Sequence, residues 1–202
     1  VFNGTEYEDF FITKLDLNGN PLWAKTNVSF QGGREIGKAV TTNTLGEVYV
    51  AGDMADGGTT TFGTYTVTSP SGSNGEDAFI VKYDSNGNTM WVNKVGSSKI
   101  DYVAGLVMDN TGNPTLVGSF HGPIFSASTN TIINSGSGTS DVYALNINPS
   151  GSYNWLKKVT NGTGDDLAAD VAIDNNNNVS IIGKFSSGSI TAGGSTLNPA
   201  GG

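Results

Sequence analysis

The chain has 202 residues and a formal net charge of −8; only 14% of its residues are charged, while 29 are glycine. This acidic balance disfavours binding to nucleic acid or to an anionic membrane surface, because both need a basic patch on the protein. The absence of cysteine excludes disulfides and cysteine-ligated metals, and the single histidine, His121, disfavours a multi-histidine metal centre or a Ser-His-Asp triad.

Two sequence blocks recur three times, which predicts a repeat architecture. The first block reads DFFITKLDLNGNPLW and starts at Asp9, Asp77 and Asp141, which lie 68 and 64 residues apart. It ends in a tryptophan, at Trp23, Trp91 and Trp155. The second block, EIGKAVTTNTLGEVYVAG in the first copy, closes on a glycine, at Gly52, Gly118 and Gly183. Two blocks in register over three copies indicate one structural unit repeated along the chain.

Each repeat is predicted to be β-structure throughout. Phe10–Leu17 is typical of a strand, and the Asn-Gly turn at 18–20 favours a hairpin with the strand that carries the tryptophan. A strand of small residues such as Ala39–Thr42 follows, and then a strongly apolar strand such as Val48–Ala51. The alanine-rich segment Asp166–Ile173 is predicted to be a strand, because its alignment with the other copies overrides its local helix propensity.

The predicted fold class is all-β: a β-propeller segment of three consecutive antiparallel blades of about 65 residues each. The blades are expected at 9–75, 76–140 and 141–202, and residues 1–8 are expected to end a preceding blade. Small residues on one strand of each unit favour a propeller, whose innermost strands crowd around an axis; an open β-solenoid with parallel rungs is the alternative. Because propellers typically have about four to eight blades, we expect the chain to be part of a longer protein.

The repeated motif resembles the bacterial β-propeller repeat called SBBP. The resemblance covers residues 9–202 and rests on D-x-F-[IV]-x-K-x-D-x-x-G-N-x-x-W, followed by an acidic residue and a block similar to I-A-V-D-x-x-G-N-V-Y-V-x-G. The third copy departs from it, with Asn146 and Asn148 in place of the lysine and the aspartate. The Gly-rich tails are similar to those of Bacteroidetes surface and secreted proteins. The resemblance implies an exported propeller, commonly through type IX secretion, and implies no single activity.

One acidic residue per repeat precedes the predicted inner strand: Glu35, Asp101 and Asp166. In a propeller these carboxylates would lie at one mouth of the axial channel, where they could bind a cation or sugar hydroxyls. The favoured alternative is that each accepts backbone N–H bonds as a loop cap. The Asp-x-Asn-Gly-Asn runs at 16–20 and 84–88 are interpreted as hairpin turns, because the glutamate that a calcium loop needs at position 12 is absent. No cofactor is therefore predicted, and calcium remains the alternative.

The recurring aromatic residues are predicted to be structural. The three tryptophans should be mostly buried between blades rather than form a sugar-stacking surface, because repeated aromatic residues bury large apolar areas. The same expectation covers the aromatic residue two positions after each leading aspartate, at Phe11, Phe79 and Tyr143. The leading aspartates themselves, Asp9, Asp77 and Asp141, are interpreted as structural positions of the repeat.

The chain is predicted to be a non-catalytic, exported binding platform for adhesion or assembly, because it repeats one unit and lacks a nucleophile, phosphate-loop or dinucleotide motif. No catalytic residue is identified. The expected location is extracellular or on the outer surface of a Gram-negative bacterium, and the expected partner is a protein or a glycan. The alternatives are a carbohydrate-binding module and a polysaccharide-acting enzyme whose site is completed by further blades.

Overall fold

The computed structural model describes residues 8–30, 34–55, 58–69, 75–186 and 188–199. These ranges consist of strands and turns, and every pairing between the strands is antiparallel. The all-β prediction is confirmed, and the parallel rungs of a β-solenoid do not occur in the described residues. The same ranges contain no helix long and apolar enough to cross a membrane.

The strands are short and follow one another through tight turns. In chain order they are β1 (Phe11–Leu15), β2 (Pro21–Thr26), β3 (Val28–Phe30), β4 (Glu35–Thr42), β5 (Val48–Ala55), β6 (Thr59–Phe62), β7 (Tyr65–Thr68), β8 (Glu76–Tyr83), β9 (Thr89–Val95), β10 (Asp101–Met108), β11 (Pro114–Phe120), β12 (Ile124–Ala127), β13 (Asn130–Ile133), β14 (Asp141–Ile147), β15 (Tyr153–Lys158), β16 (Thr160–Asn161), β17 (Asp166–Ile173), β18 (Val179–Phe185), β19 (Ile190–Ala192) and β20 (Ser195–Leu197). The alanine-rich segment predicted to be a strand is β17.

Two four-stranded sheets form the body of the structure, with strand orders β4-β5-β8-β9 and β10-β11-β14-β15. The pairs β1-β2 and β17-β18 form two further sheets. The first strands β4, β10 and β17 are neighbours in space, because β10 packs against both of the others. Consecutive antiparallel sheets that meet through their first strands give a β-propeller-like fold.

A small sheet accompanies each repeat. The connection between the second and third strands of a four-stranded sheet contains a short hairpin, β6-β7 or β12-β13, and β19-β20 follows β18. The segment before the first long strand pairs with this hairpin through β3-β6, through the Gly96–Ser126 bridge and through β16-β19. Each long sheet therefore has two distinct ends. We call the end that meets the small sheet the small-sheet end. We call the opposite end, which carries the tight turns β4-β5 and β8-β9 or their equivalents, the turn end.

The four-stranded sheets combine strands from successive sequence repeats. The leading-aspartate strand of the second repeat, β8, pairs with β5 of the first repeat, and β14 pairs with β11 in the same way. The predicted blade limits at 75/76 and 140/141 thus fall between the second and third strands of each sheet. The sheets themselves run from β4 to β9, residues 35–95, and from β10 to β15, residues 101–158.

A β-bulge in the first strand lies opposite the glycine that closes the second sequence block. In the sheet β10-β11 the bulge lies between Val103 and Gly105, next to the pair Val103–Gly118. A Cβ on Gly118 would come within 1.9 Å of the Tyr102 carbonyl oxygen and 2.6 Å of the Tyr143 hydroxyl. Only glycine fits there, because the clash would involve backbone as well as side chain. The equivalent positions are Gly52 and Gly183.

The bulges also join neighbouring sheets. The backbone N–H of Val103 donates to Asp53 Oδ1 on β5 at 2.8 Å, and the N–H of Ala168 donates to Ser119 Oγ on β11 at 2.9 Å. Asp53 is buried and lies 3.3 Å from Lys38 Nζ. The bulges of β10 and β17 therefore each direct a backbone donor onto the second strand of the preceding sheet.

Aromatic side chains dominate the core between the long sheets and the small ones. Phe79 and Tyr143 are fully buried; Phe79 lies 5.0 Å from Phe62, and Tyr143 stacks on Phe125 at 4.2 Å between ring centroids. The prediction of core packing is confirmed for these two residues. It is wrong for Phe11, which is 78% exposed, because β1 pairs only with β2 among the described strands.

Candidate binding sites at the two ends of the sheets

The three acidic residues aligned in the sequence begin the first strands β4, β10 and β17 at the small-sheet end. Glu35, Asp101 and Asp166 are at most 1% exposed. The side-chain hydrogen bonds of Glu35 and Asp101 and the charges that affect Asp166 come from groups of their own repeat. The structure thus brings each of them together with a small sheet. A ligand-binding role for these three residues stays a prediction.

Glu35 is held by neutral donors from the small sheet. Its Oε2 accepts hydrogen bonds from Asn27 Nδ2 at 2.8 Å and from the Ser29 hydroxyl, and its Oε1 accepts one from Thr60 Oγ1 at 2.5 Å. Asn27 also accepts the backbone N–H of Phe10 at 2.9 Å. The carboxylate therefore fastens the beginning of β4 to β3 and β6.

Asp101 lies beside the leading aspartate of its repeat, Asp77. The backbone N–H of Ser97 donates to Asp101 Oδ2 at 2.5 Å and the Ser97 hydroxyl donates to Oδ1 at 2.8 Å. Lys94 Nζ lies 2.7 Å from Asp77 Oδ2. A Cβ on Gly96 would come within 1.9 Å of Asp77 Oδ1 and 2.8 Å of Asp101 Oδ2, so the two carboxyl groups flank this single glycine.

Burial raises the pKa of Asp101 to about 8, and the charge of Asp77 adds to the rise. Asp77 Oδ1 accepts no hydrogen bond from any described residue. With a pKa of about 8, Asp101 is mainly protonated at neutral pH. A neighbouring carboxylate raises the pKa of Asp101 because its negative charge disfavours a second one in the same place.

The third repeat places Asp166 beside Asp141. Asp141 Oδ2 accepts the backbone N–H of Ser135 at 2.6 Å and lies 3.6 Å from Lys158 Nζ. Within the described part of the chain, Asp141 Oδ1 lacks a hydrogen-bonding partner. Burial raises the pKa of Asp166, and the charge of Asp141 acts in the same direction.

The leading aspartate and the acidic residue before the first strand thus meet in the repeats. In the first repeat Asn27 Nδ2 joins them, 3.5 Å from Asp9 Oδ1 and 2.8 Å from Glu35 Oε2. The described ranges contain no group of three or more His, Cys, Asp or Glu side chains that could hold a metal ion. Alignment of the sequence finds each acidic residue, but it does not show that its neighbour is the leading aspartate.

At the turn end, the tryptophan of one repeat covers a turn of the next. Trp23 Nε1 donates to the Ser85 carbonyl oxygen at 3.0 Å, and its ring lies against Gly87, where a Cβ would come within 2.7 Å. Trp91 Nε1 donates to the Pro149 carbonyl oxygen at 3.1 Å, and its ring lies against Gly151 in the same way. We call this arrangement the tryptophan–turn contact.

Trp23, Trp91 and Trp155 are half-buried, which is less than predicted. One edge of the ring reaches the surface, because the turn that it covers is itself a surface feature. The inner part packs against apolar core residues; for example, Trp91 meets Tyr49 edge-on at 5.9 Å. Packing on core residues and on a turn of the next repeat thus buries the inner part of the Trp23 and Trp91 rings.

Each turn is held by its own first residue. Asp84 Oδ1 accepts the backbone N–H groups of Asn86 at 2.9 Å and Asn88 at 2.8 Å, and Oδ2 accepts Asn88 Nδ2 at 2.8 Å. The side-chain hydrogen bond from Asn88 lowers the pKa of Asp84. Gly87 has a φ of 82°, as a turn of this kind requires. The hairpin turns predicted at 16–20 and 84–88 are confirmed, and the turns that begin at Asn43, Asp109, Asn148 and Asp174 use the same bonds.

A groove of about 550 Å³ lies between the β4-β5 turn and the β10-β11 turn. Thr42, Thr44 and Leu45 line one side, Asn110 and Thr111 line the other, and Met108 and Pro149 complete it. Glu47 also lines the groove, and its carboxylate is paired with Lys82 Nζ at 2.8 Å. Sequence reasoning missed this site, because it arises only when turns of two different sheets lie side by side.

The comparisons with known proteins give one distant similarity. No protein-family model matches the chain. The chain is 27% identical over 134 residues to the uncharacterized WD repeat-containing protein L264 of Acanthamoeba polyphaga mimivirus, a match that covers 57% of this chain and 9% of that relative. The chain therefore spans a small part of the relative's length. WD repeats form β-propellers, so the similarity agrees with a repeated β-rich fold. It does not involve an SBBP repeat or a Bacteroidetes protein.

Proposed function

We propose that the chain is a non-catalytic binding platform of a β-propeller-like protein, and that its turn end binds a partner protein. The observation that carries the proposal is the groove between the β4-β5 and β10-β11 turns. Four-stranded sheets support both walls of the groove, and the hydrogen bond from the Val103 N–H to Asp53 joins these two sheets. A preformed cleft with polar walls and some apolar surface is typical of a binding site.

The carboxylates at the groove support a binding role over a catalytic one. Asp109 Oδ1 accepts the backbone N–H groups of Thr111 and Asn113, both at 2.8 Å, so this carboxylate holds its own turn. Glu47 is paired with Lys82, and hydrogen bonds with Lys82 and Asn43 hold the pKa of Glu47 below its usual value, although burial opposes them. These groups are engaged in the fold, as is the Thr111 hydroxyl, which donates to Asp109 Oδ1 at 2.8 Å; the hydroxyl groups of Thr42 and Thr44 are left for a ligand.

An extended protein segment fits this chemistry. Thr42 and Thr44 offer hydroxyl donors and acceptors to a peptide backbone, and Leu45 is 74% exposed beside them. The distant similarity to a WD repeat-containing protein supports a protein partner. We further propose that the platform serves adhesion or assembly on the outer surface of a Gram-negative bacterium, which the resemblance to the SBBP repeat supports.

A carbohydrate-binding role is the second candidate. The groove is lined by threonine and asparagine side chains, which could bind sugar hydroxyl groups, and Pro149 provides an apolar face. A protein ligand and a glycan ligand would use the same groove, so one pair of variants tests both.

The experiment compares binding before and after the groove is filled. Thr44→Arg combined with Thr111→Arg fills the groove from both walls, and Thr131→Arg on β13 is the matched control at an exposed threonine outside the groove. Peptides selected from a random library against the wild-type chain should bind the groove variant at least about tenfold more weakly, and the control should bind as the wild type does. A glycan array read with the same proteins distinguishes the sugar-binding role. Equal binding by all three proteins, or turnover of a polysaccharide by the wild type, would contradict the proposal.

A further inference from the structure

A polar cavity lies between the tip of the small hairpin β12-β13 and the β14-β15 turn. It has a volume of about 380 Å³, and the residues that line it are Ser128, Thr129, Asn130, Gly151, Ser152 and Tyr153. Ligand sites typically have volumes of about 300–1,000 Å³. The cavity is separate from the groove, although the turn at 148–152 borders both, with Pro149 on the groove side.

The fold does not use the polar side chains that line this cavity. Among the described residues, no hydrogen-bonding partner exists for the hydroxyl groups of Ser128, Thr129, Ser152 and Tyr153 or for the amide of Asn130. The adjacent turn shows the contrast, because Asn148 Oδ1 holds it by accepting the backbone N–H groups of Ser150 and Ser152, both at 3.0 Å. The five side chains are therefore available to a ligand.

Ser128 has a backbone conformation that belongs to glycine in the other two repeats. Its φ is 54°, and the residues at the same hairpin position are Gly63, with a φ of 65°, and Gly193, with a φ of 57°. This left-handed conformation costs free energy for a serine but not for a glycine. The Ser128 hydroxyl makes no hydrogen bond to the described residues that would offset the cost. Strain that the fold does not require points to a function of the side chain.

The first repeat has the same two elements in direct contact. A Cβ on Gly63 would come within 2.8 Å of Thr89 Oγ1, so the hairpin tip lies on the first residue of β9. Tyr153 is the equivalent of Thr89 at the beginning of β15. Gly63 and Thr64 are exposed although the second four-stranded sheet follows them, so a following sheet does not cover this position. The cavity thus results from the residues of the second repeat itself.

We propose that this cavity binds one neutral sugar residue of a glycan. Among the described residues, no charged side chain lines it, which disfavours a phosphate, carboxylate or ammonium ligand. Each hydroxyl group of the cavity both donates and accepts hydrogen bonds, as the hydroxyl groups of a pyranose do, and the Asn130 amide offers a donor and an acceptor side by side. The polar groups of the cavity and of a sugar are therefore complementary.

Tyr153 supplies the apolar part of the site. Its half-buried ring packs against the core cluster of the second long sheet and also lines the cavity, so it offers a fixed aromatic surface to the C–H groups of a sugar. Burial raises the pKa of Tyr153 to about 12, so its hydroxyl group keeps its proton and remains a donor at neutral pH. Polar groups around an aromatic ring are the combination that a sugar ligand requires.

Nuclear magnetic resonance titration of the full chain tests the proposal with the methyl glycosides of glucose, galactose, mannose and N-acetylglucosamine. Each probe is added to about 50 mM, because a single sugar residue makes few contacts and should bind with a millimolar Kd. At least one glycoside should shift the backbone amide signals of residues 128–130 and 151–153, while the signals of residues 42–45 and 109–112 at the groove stay in place. No shift with any of the glycosides, or shifts confined to the groove, would overturn the proposal.

Substitutions in the cavity assign the binding to individual side chains. Thr129→Ala should weaken glycoside binding at least about threefold, because it removes one hydrogen bond to the sugar. Thr64→Ala, at the equivalent position of the first hairpin, is the matched control and should bind the glycoside as the wild type does. Ser128→Gly combined with Asn130→Ala should weaken binding at least about tenfold. Equal affinities for all of these proteins would contradict the assignment.

Ser128→Gly alone separates a binding role from a structural one. Because glycine adopts the left-handed conformation without strain, the variant should unfold at a temperature at least as high as the wild type does, while its glycoside binding is weaker. A lower unfolding temperature, or unchanged glycoside binding, would show that the serine does not serve a ligand. All of the substituted residues are outside the groove at the turn end, so peptide binding by these variants reports on the proposed function separately.

Discussion

Replacing Asp101 by asparagine should remove much of a pH dependence of stability that the wild type shows between about pH 5 and 7. Burial raises the pKa of Asp101 to about 8, whereas an aspartate in an unfolded chain titrates near about 3.9. Between these two values the folded protein holds a proton that the unfolded chain has released. The folded state therefore binds more protons, and the free energy of unfolding falls as the pH rises.

One such group changes the free energy of unfolding by about 1.4 kcal/mol per pH unit, so about 3 kcal/mol is lost from pH 5 to 7. The amide of the Asp101→Asn variant does not ionise, and it keeps an oxygen for the backbone N–H of Ser97. Burial also raises the pKa of Asp53 and of Asp166, so the variant retains part of the slope. The difference between wild type and variant isolates Asp101.

Urea denaturation at about pH 5, 6 and 7, followed by tryptophan fluorescence, measures this difference. Asp84→Asn is the control, because the side-chain hydrogen bond from Asn88 lowers the pKa of that exposed carboxyl group. Asp84 is therefore ionised in both states at these pH values, and its variant should run parallel to the wild type. The Asp101→Asn variant should gain about 1.4 kcal/mol on the wild type for each pH unit. Equal slopes for all three proteins would refute the buried, protonated Asp101.

Three substitutions test the packing between strands and sheets. Gly118→Ala should lower the free energy of unfolding by more than about 3 kcal/mol, because its methyl group would meet the Tyr102 carbonyl oxygen at 1.9 Å; a loss below about 1 kcal/mol in urea titration would contradict the close approach. Trp91→Phe should cost about 1 kcal/mol through the lost bond to the turn, and Trp91→Ala about 3 kcal/mol, both measured by thermal unfolding; a Trp91→Phe variant as stable as the wild type would show that the N–H group is irrelevant. Asp53→Ala should cost about 1–3 kcal/mol, because it leaves the bulge N–H of β10 buried without an acceptor. Lys38→Ala is the control and should lower the free energy of unfolding by less than about 1 kcal/mol. A larger loss for Lys38→Ala than for Asp53→Ala would indicate that the ion pair dominates.

The strands and turns could be predicted from the sequence because their signals are local. The Asn-Gly turns require positive φ at glycines such as Gly87, and alternating apolar residues on both sides specify the paired strands. The closing glycines are also visible in the alignment. Their reason, a carbonyl group opposite a bulge, appears only in the paired strands.

The pairing across repeats could not be predicted in the same way. The residues of β5 and β8 carry no local signal that these strands pair. The linker between them contains a hairpin of its own, so the two strands are not joined by a short turn. The acidic residues raise the same difficulty. Asp101 and Asp77 are 24 positions apart and approach each other only because Gly96 leaves room for both carboxyl groups. The groove at the turn end likewise depends on how two sheets lie relative to each other.

The offset between repeats and sheets determines where such a chain can be cut or its gene rearranged without breaking a sheet. A protease cut or gene break at 75/76 would strip β8 and β9 from β4 and β5 and leave an open edge on β5, which could pair with foreign strands. A break near residues 96–100, inside the second repeat by sequence, would instead leave that sheet whole. Duplication is tolerated at more positions than a break, since one additional repeat period adds the strands of one complete sheet wherever the copy begins. Recombination can therefore lengthen this architecture at many points, while shortening it safely requires breaks that the repeat pattern does not mark.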